Sequence, residues 1–242
     1  GCSPLSQSVL RYGISGSYRP MKVVPRDASR PFGMERFFYF KLENDCKAGV
    51  SVMLKVAVIG ATGYTGRELV SILLRHPYAR PYYLTSERYA GQKFADIYPQ
   101  FRGCCDCTLQ KLELEQAAQC DFIFAALPHG TSVKTVPQLL ATGKKVVDLS
   151  GDFRLKDAKL YPLWYGYEHG SPQYLEQRVY GLPEYNRAAV AAAKLTANPG
   201  CYPTSVQLPL LPLLTEEIAE CEDIIVDAKS GVSGAGRTPK QA

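Results

Sequence analysis

A run of β-branched residues that ends in closely spaced glycines leaves a chain few ways to fold, and one such run begins at Leu54. Leu54-Lys55-Val56-Ala57-Val58-Ile59 reads as a strand. Gly60-Ala61-Thr62-Gly63-Tyr64-Thr65-Gly66 reads as a tight turn. A helical pattern follows, with Leu69, Ile72 and Leu73 on one face, and stops near His76-Pro77. Strand, glycine-rich turn and helix in this order are the setting of a dinucleotide-binding fingerprint. Gly60 and Gly63 would let the backbone approach a pyrophosphate, Gly66 would let the helix pack closely on the strand, and the anion would rest on the helix N-terminus. The spacing is GxxGxxG rather than the commoner GxGxxG, so the flanking strand and helix carry the reading as much as the glycines do.

The pattern then repeats. Tyr82-Tyr83-Leu84-Thr85 reads as a second strand, followed by Ser86-Glu87-Arg88. Ser86 and Arg88 suit a 2′-phosphate and so favour NADP, whereas Glu87 could instead accept from a ribose hydroxyl. Asp121 to Leu127 is a third strand, ended by Pro128-His129-Gly130, with a helix from Val133 to Ala141. Lys144 to Leu149 is a fourth, ended by Ser150-Gly151-Asp152-Phe153-Arg154. In open α/β sheets ligands lie beyond the carboxyl ends of the strands. His129 is therefore either near a reacting centre or a packing residue. Arg154 is either a phosphate clamp or half of a surface ion pair.

A second chemical signal comes later. Asn198-Pro199-Gly200-Cys201-Tyr202-Pro203-Thr204 joins a short apolar run to a longer one from Val206 to Leu214, which reads as a helix despite Pro209 and Pro212. Cys201 then falls at or near a helix N-terminus, where the dipole and unpaired N–H groups favour a thiolate and could bind an oxyanion. The plainer alternative is a buried structural cysteine. An alanine-rich helix is expected over Arg187 to Lys194, and a further strand over Ile224 to Ala228. The latter leads into the glycine-rich run Ser230 to Gly236, read as a flexible loop or an anion-binding nest.

Composition sets the outer limits. A chain of 242 residues can hold one large domain or two modest ones. The net charge of +5 is mild and partly contributed by the first 52 residues, so nucleic acid is not expected as a partner. No apolar stretch is long enough to cross a membrane. Eight cysteines without a secretory signal read as free thiols in a reducing compartment, the cytoplasm. Cys104, Cys105 and Cys107 have no neighbouring His, so no metal site is expected. Residues 1–26 carry Arg11, Arg19, Lys22 and Arg26 with no acidic residue, which suits a plastid or mitochondrial transit peptide or translated upstream sequence. Residues 1–52 are expected to be poorly ordered and outside the fold.

Six segments in order, GATGYTG at 60–66, LPHGTS at 127–132, DLSGDFRL at 148–155, YGLPE at 180–184, NPGCYPT at 198–204 and DAKSGVSGAGR at 227–237, resemble the N-acetyl-gamma-glutamyl-phosphate reductase family. More distantly they resemble aspartate-semialdehyde dehydrogenase. The resemblance covers essentially everything from Met53 onward. It implies an α/β protein, with a Rossmann-type NADP-binding domain over 53–200 and the beginning of an α+β substrate domain over 201–242. It implies NADPH-dependent reduction of an acyl phosphate to an aldehyde, with Cys201 forming a thioester. Implied cofactor contacts are Gly60, Thr62, Gly63, Tyr64, Thr65, Gly66, Ser86, Arg88, Pro128, Gly130, Ser233 and Gly234. Implied substrate contacts are Ser150, Arg154, Asn198 and Ser230. A small-molecule substrate and a homo-oligomer for the full-length enzyme are also implied.

The family's acid/base His lies in the substrate domain, and His76, His129 and His169 do not match its motif. The expectation is a C-terminally truncated fragment that binds NADP but turns over poorly, since general acid–base help is worth roughly 10²–10⁴-fold. The rivals are a related acyl-phosphate reductase, acting on aspartyl or aminoadipyl phosphate, and a non-catalytic NADP-binding protein of the same fold.

Overall fold

The computed structural model describes residues 53–236. The expectation for residues 1–52, and Arg237 of the glycine-rich segment, lie outside the described residues. Six strands form one sheet in the order β2-β1-β3-β4-β6-β5: β1 Leu54–Ile59, β2 Ala79–Leu84, β3 Phe122–Ala125, β4 Lys145–Asp148, β5 Val179–Tyr180 and β6 Leu195–Ala197. Every pairing is parallel. The helices are α1 Tyr64–Leu74, α2 Phe94–Ile97, α3 Leu114–Ala118, α4 Ser132–Ala141, α5 Leu160–Tyr165, α6 Gln173–Gln177, α7 Pro183–Ala192 and α8 Cys201–Thr215. The chain runs from β1 out to β2 and then back across β1 to β3, so the winding reverses between β1 and β3.

Both faces of the sheet are covered, which is why its central strands are apolar without alternation. Val56 and Val58 pack with Val70 and Leu73 of α1 and with Phe94, Tyr98 and Phe101 of the β2–β3 connection. Ala57, Ile59, Ile123 and Ala125 pack on the other face with Val136 and Leu139 of α4, and with Phe153, Tyr161 and Leu175. Pro81 sits inside β2 because β2 is an edge strand, where a missing N–H breaks no ladder. The register with β1 slips beside it, between Val56 and Ala57.

Three expectations are corrected. The buried stripe of α1 is Gly66, Val70 and Leu73, while Ile72 is exposed. Gly66 sets that stripe: a Cβ there would lie 2.4 Å from Gly60 O and 2.7 Å from Ala61 Cα, so the helix meets the turn at that point. The alanine-rich helix ends at Ala192, short of Lys194, and a turn from Pro183 leads into it across a kink at Asn186 (φ −111°, ψ 25°), with Pro183 in a first turn where no N–H is needed. Ile224 to Ala228 is not a strand. It pairs with no described strand, and Ile225 is 92% exposed. An apolar β-branched run forms a strand only where a partner takes its backbone groups.

Candidate active site

The glycine turn is held from three sides. Gly60 has φ +84°, and a Cβ on it would lie 2.4 Å from Ala126 O at the end of β3, so the turn closes onto the reversal point of the sheet. The Gly60 N–H donates to Thr85 Oγ1 at 3.1 Å, and the Ala61 N–H donates to the Thr85 carbonyl at 2.9 Å. Thr62 and Ser86 join through their hydroxyls at 2.8 Å. The Tyr98 hydroxyl donates to the Thr62 carbonyl at 2.7 Å. Thr85 and Tyr98 were not singled out from the sequence. Their partners lie 25 and 36 residues away, and no local pattern marks such a tether.

A dinucleotide fits this turn on two observations. No side chain caps the N-terminus of α1, so its first N–H groups remain available to an anion. A Cβ on Gly63 would meet only Gly60 O, at 3.8 Å, so nothing in the protein's own packing excludes one. A glycine without an internal steric reason is what close approach of a pyrophosphate requires. Ser233 and Gly234 line a shallow cleft of about 680 Å³ together with Tyr64, Thr65, Arg67 and Glu68. The late glycine-rich segment thus reaches the first turn of α1. Ser86 is buried and bonded to Thr62 and to the Tyr89 N–H. Arg88 is exposed, with its guanidinium over the Tyr89 ring.

The second half of the site lies beyond β4 and β6. Gly200 is the N-cap and Cys201 the first residue of α8, again with no side-chain cap. Cys201 is exposed, which removes the buried structural alternative. The preceding turn is gripped by Arg154. Its Nε donates to the Asn198 carbonyl at 2.8 Å and Nη2 to the Leu149 carbonyl at 3.0 Å. Nη1 reaches Gly200 so closely that a Cβ there would lie 2.9 Å from it. The guanidinium therefore lies against the residue before the cysteine, and no ion pair among the described residues engages it. Asn198 Nδ2 donates to the Pro199 carbonyl at 3.0 Å. Arg178 supports the loop from behind, donating from Nη2 to the Arg154 carbonyl at 2.8 Å.

Between these halves runs a buried polar chain. The Ser150 hydroxyl donates to Asp148 Oδ2 at 2.6 Å and accepts from the Asp152 N–H at 3.0 Å. Ser150 is thus enclosed and committed, rather than open to a ligand. Burial raises the Asp148 carboxyl to about 6, against the lowering effect of Ser150. Asp152 accepts from Gly130 and Val133 N–H and from the Tyr167 hydroxyl, which burial and the Asp152 carboxylate push far above the usual phenol value. The Gly151 N–H donates to His129 Nδ1 at 2.7 Å, so the proton of a neutral His129 sits on Nε2. His129 is exposed at the strand ends. His169 is buried against the Asp152 carbonyl at 2.7 Å, and burial lowers its pKa. Pro128 is exposed beside the Gly130 turn. Ser230 is exposed, and its hydroxyl donates to the Gly231 carbonyl at 3.2 Å.

Because every strand is parallel, the glycine turn after β1, the His129 turn after β3, Arg154 after β4 and Cys201 after β6 share one edge of the sheet. Three strand spacings separate β1 from β6, roughly 14 Å at about 4.8 Å each.

The profile of the semialdehyde dehydrogenase NAD binding domain matches residues 55–193, and that of the semialdehyde dehydrogenase dimerisation domain matches 201–242. An N-acetyl-gamma-glutamyl-phosphate reductase of Magnetococcus marinus is 53% identical over 189 residues, covering 78% of this chain and 54% of that protein. One of Marinobacter nauticus is 50% identical over 188 residues, again 78% of this chain and 54% of that protein. The chain thus spans about half the length of these curated relatives. Among solved structures, aspartate semialdehyde dehydrogenase II of Vibrio cholerae superposes with TM-score 0.53 at 21% identity, covering 76% of this chain and 48% of that one. The Candida albicans enzyme solved with NADP gives 0.52 at 20%, covering 68% and 47%, and both likenesses speak to fold. The chain belongs to the semialdehyde dehydrogenase family defined by its NAD binding domain.

Proposed function

We propose that this chain carries the cofactor site and the nucleophile of an N-acetyl-gamma-glutamyl-phosphate reductase, working with NADPH in arginine biosynthesis. The supporting observation is Arg154, whose guanidinium grips the turn before the exposed Cys201 and touches Gly200. A nucleophile beside a guanidinium that has no carboxylate partner among the described residues suits a substrate whose leaving group is an oxyanion. We divide the chain into a cofactor-binding unit over 53–200 and the beginning of a substrate unit over 201–242.

The α1 N-terminus and Gly63 would receive the pyrophosphate, with Gly60 and Gly66 shaping the turn and Thr62, Tyr64 and Thr65 lining it. Arg88 would meet a 2′-phosphate, and Ser86 would hold Thr62 in place. Pro128 and Gly130 would flank the nicotinamide half, and Ser233 and Gly234 would cover the pyrophosphate from the opposite side. The Cys201 sulfur attacks the acyl carbon, and the N–H groups of the first turn of α8 bind the oxyanion that forms. Arg154 takes up negative charge on the departing phosphate, which leaves with the electron pair of its C–O bond. A thioester on Cys201 remains. When bound, NADPH supplies the hydride that brings it to the aldehyde level. Asn198 fixes the cysteine turn, and Ser230 lies in the loop that would close over it. A soluble small-molecule substrate and a homo-oligomer of the whole enzyme complete the reading. No helix among the described residues is long and apolar enough to cross a membrane.

The test is a reverse-direction assay of the whole enzyme with N-acetylglutamate semialdehyde, NADP⁺ and phosphate, following NADPH absorbance. Phosphate-dependent NADPH formation that disappears in Cys201→Ala is the expected result. Turnover with aspartate semialdehyde instead would reassign the substrate. Absence of turnover, with Cys201 no more reactive to iodoacetamide than the other thiols, would leave a binding module.

A further inference from the structure

Asp152 holds no place in the chemistry above, yet three donors from two other segments converge on its fully buried carboxylate. Gly130 N–H reaches Oδ1 at 2.8 Å, the Tyr167 hydroxyl reaches the same oxygen at 2.7 Å, and Val133 N–H reaches Oδ2 at 2.9 Å. Gly130 and Val133 belong to the turn and helix start that follow β3, the side assigned to the cofactor. Gly130 has φ +79°, a left-handed conformation open to glycine because it has no Cβ. Two residues past Asp152, Arg154 spans the carbonyls of Leu149 and Asn198 and reaches the cysteine turn. The Asp152 main chain is fixed as well: its N–H donates to Ser150 Oγ, and its carbonyl meets His169 Nε2 at 2.7 Å.

We infer that Asp152 is a positioning residue that holds the cofactor-side turn at Gly130 and the anion-binding Arg154 in one fixed relation. This rests on the reading of Arg154 and Cys201 given above. Only a carboxylate serves here. Three donors need both oxygens as acceptors, and an amide in either orientation would turn its NH₂ against a backbone N–H, of Gly130 or of Val133, which cannot accept. At the buried Val133 N–H such a mismatch is costly, because that group cannot turn to water. The carboxylate also lies at the N-terminus of α4, a ten-residue helix whose N-cap side chain makes no capping bond, so Asp152 does the capping from 19 residues away.

Two readouts on the chain test this: NADPH titration by fluorescence, and the ratio of iodoacetate to iodoacetamide alkylation rates at Cys201, followed by mass spectrometry. The ratio reports positive charge held beside the sulfur. In Asp152→Asn the NADPH Kd rises about tenfold, as expected for one aligned buried donor lost, and the ratio falls. Removing a negative charge would by itself raise the ratio, so the direction separates lost positioning from simple electrostatics. Tyr167→Phe, which removes one donor and keeps the carboxylate, moves both readouts the same way by less. A folded Asp152→Asn with unchanged Kd and an unchanged or raised ratio overturns the inference. If that variant loses its native circular dichroism, unchanged readouts in Tyr167→Phe overturn it alone. A wild-type chain that neither binds NADPH nor alkylates at Cys201 overturns the functional reading and this inference with it.

Discussion

Gly63 and Gly66 stand three residues apart in one motif and do different work. A Cβ on Gly66 would collide with the backbone of Gly60 and Ala61, whereas on Gly63 it would meet almost nothing. Gly66→Ala should therefore destabilise the chain by about 1–3 kcal/mol, as overpacking of a close contact does. Gly63→Ala should melt like the wild type yet bind NADPH more weakly. Thermal melts beside a cofactor titration check the pair, and equal effects of both on the melt would refute the division. Asp148 supplies a pH signature. Burial lifts its carboxyl from 3.8 to about 6, so the folded state holds this proton more tightly than the unfolded chain does. Stability then falls as pH rises through about 4 to 6 and levels off above. At about 1.4 kcal/mol per pH unit, the cost at neutral pH is about 3 kcal/mol. Urea melts of the wild type and Asp148→Asn at pH 4.5 and 7 should show the variant relatively more stable at the higher pH. A wild-type profile that runs parallel to the variant's would sink the assignment.

At the scale of elements, the strands divide into those that announce themselves and those that depend on a neighbour. The strands β1, β3 and β4 are buried on both faces and read as apolar runs, so local composition locates them. The strands β5 and β6 have two and three residues, too few for any period, and they exist through pairing with each other and with β4. Ile224 to Ala228 has the better strand composition and forms none. The helix α8 is apolar around its circumference but has no buried residue. Residues 216–231 bury little more and make few long-range bonds, so this stretch should open at low free-energy cost. Among the described residues, endoproteinase Glu-C should cut first at Glu216, Glu217, Glu220 or Glu222 and leave residues 53–215 joined. Earlier cleavage at Glu113 or Glu115 would contradict that order of stability.

For the whole molecule, one parallel sheet puts the four candidate site turns on a single edge, and a ligand bridging them should stabilise all of it. NADPH at 100 times its Kd should add about 2.7 kcal/mol and raise Tm accordingly. Arg88→Ala should reduce the NADPH shift toward that given by NADH, if the exposed guanidinium meets the 2′-phosphate. An Arg88→Ala shift that still favours NADPH as strongly as wild type would remove Arg88 from that role. The α/β class, the glycine turn and the cysteine turn were all legible from residue order, because each depends on neighbours within a few positions. The tethers that align them were not. Asp152 to Gly130 spans 22 residues, Thr85 to Gly60 spans 25, and Tyr98 to Thr62 spans 36. Ser150 reads as a ligand contact by position in its motif, but folding encloses it between the Asp148 carboxylate and the Asp152 N–H. Local sequence determined which turns this protein has and what chemistry each can offer. Tertiary structure decided which face of α1 is buried, that Ile224 to Ala228 pairs with no described strand, and how the turns are locked together, because those outcomes depend on partners that meet only when the sheet closes.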